Sequence, residues 1–424
     1  MRRSLAASLV TLLVAVSSLQ AQTLREQLQG LFTFGTCGQP LCLDVGSQHG
    51  AHFNPAVTQG NFTVIGFVTE AIAQATSNLP ISATSSGATY SIVNGLPVRT
   101  SISAGPIFTE RSQTLGRGRV FMGTNVSGIH FSSLNGVPAD NLSFNFQHED
   151  VPPTGLGDPS FENDVIQMGL GLDVRLLVAS LFATWGVTDF LDIGVAVPFE
   201  RVSITGSSVA QIQPFGPNTP HYFAGTAANP VLRATSGMDG SAAGIGDVVG
   251  RLKVNLGQSS RAGGALLVEV RFPTGDEQNL LGSGATSARG MGVFSAQFGS
   301  LAVHANAGYA VRTGELQNDG IQAALSFDNL VAPWATVAFS LLSEWQVGTS
   351  KLVLPGPIHW TMPYDRTMPS TSIPERNGDR LDASVGAKFN VRQGTVLVLN
   401  GIVPMRDSGM QPNAAWTVGL EFNF

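Results

Sequence analysis

The stretch WTVGLEFNF (416–424) closes the chain on a two-residue period. Trp416, Val418, Leu420, Phe422 and Phe424 share one face, and Thr417, Gly419, Glu421 and Asn423 share the other. A period of two is a β-strand with one apolar and one polar side. Chain ends are usually polar and frayed, so an ending this apolar must be covered by protein or by lipid.

The same alternation recurs upstream. In RLDASVGAKFNVR (380–392), Leu381, Ala383, Val385, Ala387, Phe389 and Val391 oppose Asp382, Ser384, Lys388, Asn390 and Arg392. In LAVHANAGY (301–309), Leu301, Val303 and Tyr309 oppose His304 and Asn306. In GALLVEVRF (264–272), Leu266, Val268, Val270 and Phe272 oppose Leu267, Glu269 and Arg271, and in DVVGRLKVNL (247–256), Leu252 and Val254 oppose Arg251 and Lys253. In IQMGLGLDVRLLV (166–178), a face from Met168 to Val178 opposes Gln167, Asp173 and Arg175.

Composition chooses between the two ways of covering such strands. Charged residues make up 12% of the chain, against about 25% for ordinary soluble domains. There are 49 glycines, and the formal net charge is -6. A soluble β-sandwich would carry many more Lys and Glu on its outer faces. Few charges, much glycine and alternating strands describe a transmembrane barrel with lipid outside and a polar lumen. The acidic balance gives no clustered basic footprint for nucleic acid.

Arg2 and Arg3 precede an apolar run from Leu5 to Val16, then small and polar residues to Ala21. That run is too short to span a bilayer, and its flanks predict a cleaved export signal over 1–21. Past the inner membrane the compartment is oxidising, which predicts a disulfide between Cys37 and Cys42 in CGQPLC. Neither cysteine lies at the cleavage point, where a lipoprotein would need it.

Strands are expected near 119–132, 166–186, 190–205, 244–256, 263–273, 291–298, 301–311, 320–328, 334–347, 381–392, 395–403 and 414–424. Joins such as GS (299–300) and RQGT (392–395) are short, and they alternate with long joins such as 206–243 and 348–380. The fold expected is all-β: an antiparallel up-and-down transmembrane barrel of about twelve strands over 116–424, with both ends on the short-turn, periplasmic side. LSFNFQHED (142–150) either adds a hairpin, giving about fourteen strands, or extends a loop above the membrane. Residues 22–115 break the alternation. Phe62, Ile65, Val68, Ile72, Ala75 and Leu79 are helically spaced, so this partly helical segment is either a periplasmic appendage or a plug.

Over about 165–424 the chain resembles the outer-membrane barrels named for the MetA pathway of phenol degradation, also called transporters. The residues carrying the likeness are WGVTDFLDIGVAVPF (185–199), GIGDVVGRLKVNL (244–256), VEVRFPTGD (268–276) and VHANAGY (303–309). That family is similar in build to the long-chain fatty-acid channels, which have an N-terminal plug and carry hydrophobic molecules. The resemblance implies an outer-membrane pore or transporter for small hydrophobic or aromatic molecules. A terminal aromatic such as Phe424 resembles the ending that the barrel-assembly machinery engages in this class.

Catalytic and metal motifs are weak. HFSSL (130–134) places His130 and Ser132 on one face without an orienting third group. GSGATSARG (282–290) lacks the lysine of a phosphate loop, and HED (148–150) reads as a solvated loop. No catalytic residue, metal or cofactor is assigned. The expected lumen lining is Asp173, Arg175, Arg251, Lys253, Glu269, Arg271, His304, Glu344, Lys388 and Arg392, in contact with a small solute; outer-membrane lipid surrounds the barrel. The alternatives are a lipid-modifying enzyme barrel and a structural or adhesive barrel without transport.

Overall fold

The computed structural model describes residues 22–35, 37–43, 53, 64–77, 90–93, 96–99, 103–148, 163–215, 221–361, 364–392 and 394–424. The expected export signal, Phe62, Leu79 and two residues of HED (148–150) lie outside these.

Twelve antiparallel strands close on themselves. They are β1 Val120–Leu134, β2 Val165–Gly186, β3 Leu191–Gln213, β4 in two pieces (Arg233–Ile245 and Val249–Gln258), β5 Ala262–Arg271 and β6 Ser287–Phe298, followed by β7 Leu301–Arg312, β8 Gly320–Ala332, β9 Ala335–Gln346, β10 Arg380–Arg392, β11 Thr395–Pro404 and β12 Met410–Asn423. Each strand pairs with the next. The closing stretch pairs back on β1, with Val418 opposite Val126 and Phe422 opposite Met122, so no sheet edge meets lipid.

The faces follow the alternation. Leu266, Val268, Ile321, Val337, Val385, Val418 and Leu420 point outward and are exposed on the barrel wall. Two aromatic belts bound this apolar band. Phe190, Phe298, Trp334 and Phe424 lie at the short-turn end, with Trp334 stacked on Phe389 at 6.0 Å. Phe199, Phe272, Tyr309, Trp345 and Trp416 lie about eight to ten residues further along their strands. With strands tilted by roughly 40°, that spacing corresponds to about 25 Å, the height of a bilayer-facing band.

β2 and β3 overshoot the band. They have 22 and 23 residues, where about ten suffice to cross. Above it they pair with Leu142–Gln147 on one side and with Arg233–Ile245 on the other. LSFNFQ therefore extends the wall above the membrane and adds no hairpin to the closed barrel. The first piece of β4 lay inside what reads as a long join, because RATSGMDGSAAGI (233–245) has almost no apolar residue to alternate.

The inner face of this raised sheet packs on the N-terminal segment. Helix α1, Leu24–Gly30, starts at a capping box between Thr23 and Glu26. Its Leu24 and Leu28, with Leu31 and Phe32, join Leu172, Val174, Ile204 and Ile212 in the largest buried apolar cluster. Helix α2, Val64–Ser77, adds Val64, Phe67, Val68, Ala71 and Ile72 to the same cluster. Cys37 and Cys42 are joined, with Cα atoms 5.9 Å apart, in the turn that follows α1.

Side-chain direction predicts losses of different origin for two changes on β10. Val385 is 64% exposed to the lipid side, and Val385→Arg should cost about 2–4 kcal/mol of barrel stability. Lys388 is fully buried and lies 3.3 Å from Glu421. Lys388→Ser alone strands that carboxylate and should cost roughly 3–5 kcal/mol, while Lys388→Met with Glu421→Gln recovers most of it. Urea titration of the heat-modifiable band reads all three; a harmless Val385→Arg would reverse the faces.

Candidate functional site

The segment from Ser103 to Gly118 lies inside the barrel and has no secondary structure of its own. Inward-facing side chains satisfy its backbone. Ala104 N–H donates to Thr336 Oγ1 (3.1 Å), Glu110 N–H to Asn306 Oδ1 (2.8 Å), Ser112 N–H to Ser295 Oγ (2.9 Å) and Leu115 N–H to both oxygens of Asp192 (3.1 Å). Asn306 Nδ2 and Asn255 Nδ2 return bonds to the carbonyls of Glu110 (3.0 Å) and Ser112 (2.8 Å). Arg117 N–H reaches Asp189 in the turn between β2 and β3 (3.1 Å), and β1 begins from there. Inside a barrel such groups have to be paired by protein, and here the partners are side chains at inward strand positions, with Asp189 of the turn serving Arg117 at the rim.

Charges lock the same segment. The Glu110 carboxylate lies 3.5 Å from Lys253 Nζ and 3.7 Å from Arg251, and Lys253 also faces Asp192 at 3.8 Å. Along the wall, Arg251, Glu269 and Arg289 sit side by side on β4, β5 and β6; Glu269 holds both arginines, at 2.7 and 2.9 Å. One residue pair nearer the long-join end, Arg271 on β5 and Arg312 on β7 flank Ser287, and Arg312 pairs with Glu344 on β9. Arg380 meets Asp382 at 3.3 Å.

A cavity of about 520 Å³ lies above these rows, between α2 and the wall. Phe67, Ala71, Phe131, Leu134, Leu354 and Met410 form its apolar part. Phe108, Arg312, Glu344, Arg380 and Asp382 form its floor and also line a second space of about 140 Å³ below, which reaches Glu110, Arg251, Glu269 and Arg289. Gln74 on α2 donates to Leu316 O (2.9 Å) and to Glu70 (3.3 Å). Burial raises the Glu70 carboxyl above the ordinary carboxylate range, against the pull of Gln74 and of Arg25 at 3.7 Å.

Of the residues expected to line the lumen, Arg251, Lys253, Glu269, Arg271, His304, Glu344 and Lys388 stand at inward-facing, enclosed positions. Asp173 and Arg175 do not. They lie on the outer face of β2, where the strand leaves the lipid band; the apolar face expected to meet lipid, Leu172, Val174 and Leu176, is buried against the N-terminal segment. Arg392 is exposed at the short-turn rim, where it forms the last β10–β11 pair, with Thr395, and lies past the last pair with β9, at Phe389. Arg289, Arg312, Arg380, Asp192, Asp328 and Glu110 are site residues that the sequence reading missed.

His304 has a fuller set of partners than plain lumen lining. Ser295 Oγ lies 2.8 Å from its Nδ1, and Asp328 lies 3.3 Å from its Nε2. The two-residue turn at 299–300 sets Ser295 directly opposite His304, so part of this row was readable from parity and turn length. The order resembles a nucleophile relay, but the Ser295 hydroxyl is buried and takes the Ser112 amide, while Ser103 Oγ caps Asp328 at 2.9 Å. The row thus ties both ends of the lumen segment to the wall. In HFSSL, His130 faces outward, and Ser132 bonds Asn413 at 2.9 Å.

No family model and no curated protein matches the chain. Among solved structures it is similar to the COG4313 outer membrane channel from Pseudomonas putida F1, with 11% identity and a TM-score of 0.42 over 74% of this chain and 98% of that one. It is also similar to the TodX monoaromatic hydrocarbon channel deltaS2 mutant (12%, TM-score 0.35, 74% and 92%) and to KdgM porin (10%, TM-score 0.33, 62% and 99%). Likenesses this distant carry no argument; the barrel stands on its own strand register.

A double-mutant cycle tests the seat of the lumen segment. Glu110→Gln and Lys253→Met should couple by roughly 0.5–3 kcal/mol in urea unfolding, because each removes the other's buried partner. Additive effects would mean that Glu110 does not sit on Lys253.

Proposed function

We propose that the chain is an exported pore or transporter of the bacterial outer membrane for small hydrophobic, chiefly aromatic, molecules. The observation that carries this reading is the cavity under α2. Its apolar part can hold a ring, since a dry cavity of about 150 Å³ already accepts benzene, and this one is about 520 Å³. Its floor opens on the arginine and carboxylate rows, so a solute leaving the apolar part meets a polar, charge-balanced passage. The likeness of about 165–424 to the phenol-degradation barrels points to the same solutes. The alternation of short and long joins supports an outer-membrane orientation with the short turns in the periplasm. Phe424, on the closing strand and exposed to the lipid side, is the contact proposed for the assembly machinery.

An enzyme barrel is the weaker reading, because the Ser295–His304–Asp328 row spends its hydroxyl on the amide of Ser112 in the lumen segment. A purely structural barrel leaves the apolar cavity without a use.

Liposomes carrying the protein should admit phenol and other small aromatics faster than sugars of similar mass. Ala71→Trp, which fills the cavity wall on α2, should cut aromatic entry severalfold and leave the heat-modifiable barrel intact. Equal entry of sugars and aromatics, unaffected by Ala71→Trp, would contradict the proposal.

A further inference from the structure

Asp173 and Arg175 have no place in the lumen, yet they are not isolated. Arg175 donates from Nε and one terminal nitrogen to the two oxygens of Asp173, at 2.8 and 2.9 Å, and His130 Nε2 lies 3.3 Å from the same carboxylate. The strand register sets His130 on β1 opposite Arg175 on β2, which is opposite Ser203 on β3; Arg201, two residues before Ser203, is outward and exposed beside them. His130, Arg175 and Arg201 are about ten residues from the short-turn ends of their strands, roughly 25 Å up the wall at the upper edge of the lipid band, with Asp173 and Ser203 just above them.

The wall has a notch at that height, of about 320 Å³. Its lower lining is apolar: Gly128, Leu177 and Trp416, continuous with the lipid-facing surface below. Its upper lining is His130, Arg175 and Arg201. The indole of Trp416 lies flat over Gly128, where a Cβ would collide with it, and the register of β12 slips on both sides of Pro412 just above. The result is a recess with acyl-like surface beneath and guanidinium donors on top. Asp173 takes up two of the five N–H donors of Arg175 and sets its plane; the other donors, and those of Arg201, face outward.

We infer that this notch holds a phosphorylated lipid of the outer leaflet: its phosphate lies on Arg175 and Arg201, and an acyl chain runs down over Leu177 and Trp416. Two guanidiniums against one carboxylate leave a cationic rim, and basic side chains at a membrane interface draw anionic headgroups. An outward-facing basic cluster at the edge of a lipid band has no solute path to serve. The inference rests on the proposed orientation, with the long joins outward, but it needs no transport.

The test uses the full chain, stripped of lipid in detergent and placed in phosphatidylcholine nanodiscs. Lipid A carrying its phosphates is titrated in, and bound copies are counted by native mass spectrometry. Arg175→Gln with Arg201→Gln should weaken retention about tenfold, and Asp173→Asn, which frees Arg175, should strengthen it. Arg233→Gln with Arg406→Gln, exposed cations elsewhere on the outer half, should leave it unchanged. Lipid A without phosphate should not distinguish these proteins. Equal retention by the wild-type chain and the Arg175/Arg201 variant, or an equal loss in the Arg233/Arg406 control, would overturn the site. Displacement of the lipid by inorganic phosphate alone would overturn the lipid assignment in favour of a free-anion site. Retention is read without any flux, so a conducting barrel that fails here sinks the lipid site and not the transport reading.

Discussion

An irregular backbone can lie inside a barrel only if something else supplies its hydrogen bonds. That requirement organises this molecule. Residues 103–117 have no ladder of their own, and the wall provides one made of side chains: Thr336, Asn306, Ser295, Asn255 and Asp192 each stand at an inward position of a strand or beside its turn. The buried charges follow from the same need. Lys253 would be costly without Glu110 and Asp192, and Glu110 would be costly without Lys253 and Arg251, so segment and wall stabilise one another.

The long outer strands follow from what precedes that segment. Two helices bury Leu24, Leu28, Phe67 and Ile72, and a wall of ordinary height could not cover them. β2 and β3 continue above the membrane and turn their apolar face inward, and the outward face is left to polar groups. The cavity lies where α2 stops short of the opposite wall, between this apolar cap and the arginine rows. On the proposed reading a solute passes from an apolar chamber to a charged one, and Phe108 of the lumen segment lines both.

The barrel was legible because each strand must satisfy lipid on one side and water or protein on the other, and that leaves a period of two in β5, β7, β10 and β12. The rule fails where lipid is absent. In β2 the apolar face looks inward, so Asp173 and Arg175 were assigned to the wrong side; nothing in a single strand says where the bilayer ends. The first piece of β4 is mostly small residues, with Ala234, Met238 and Ala242 turned to the core, and its pattern is too weak to read. Strand pairs joined by short turns were readable to the residue, which would have placed Ser295 against His304. Contacts across long joins were not. Glu110 reaches Lys253 over 143 residues, and no local pattern encodes that meeting.

The central claim is that residues 103–117 occupy the lumen of a closed twelve-stranded barrel. Single-channel conductance in planar bilayers tests it most directly, comparing the whole chain with one lacking residues 22–115, once both show the heat-modifiable mobility of a folded barrel. The account predicts that the truncated barrel conducts well above the whole chain, through an open lumen lined by Arg251, Lys253, Glu269 and Lys388. Unchanged conductance in a correctly folded truncation would contradict it.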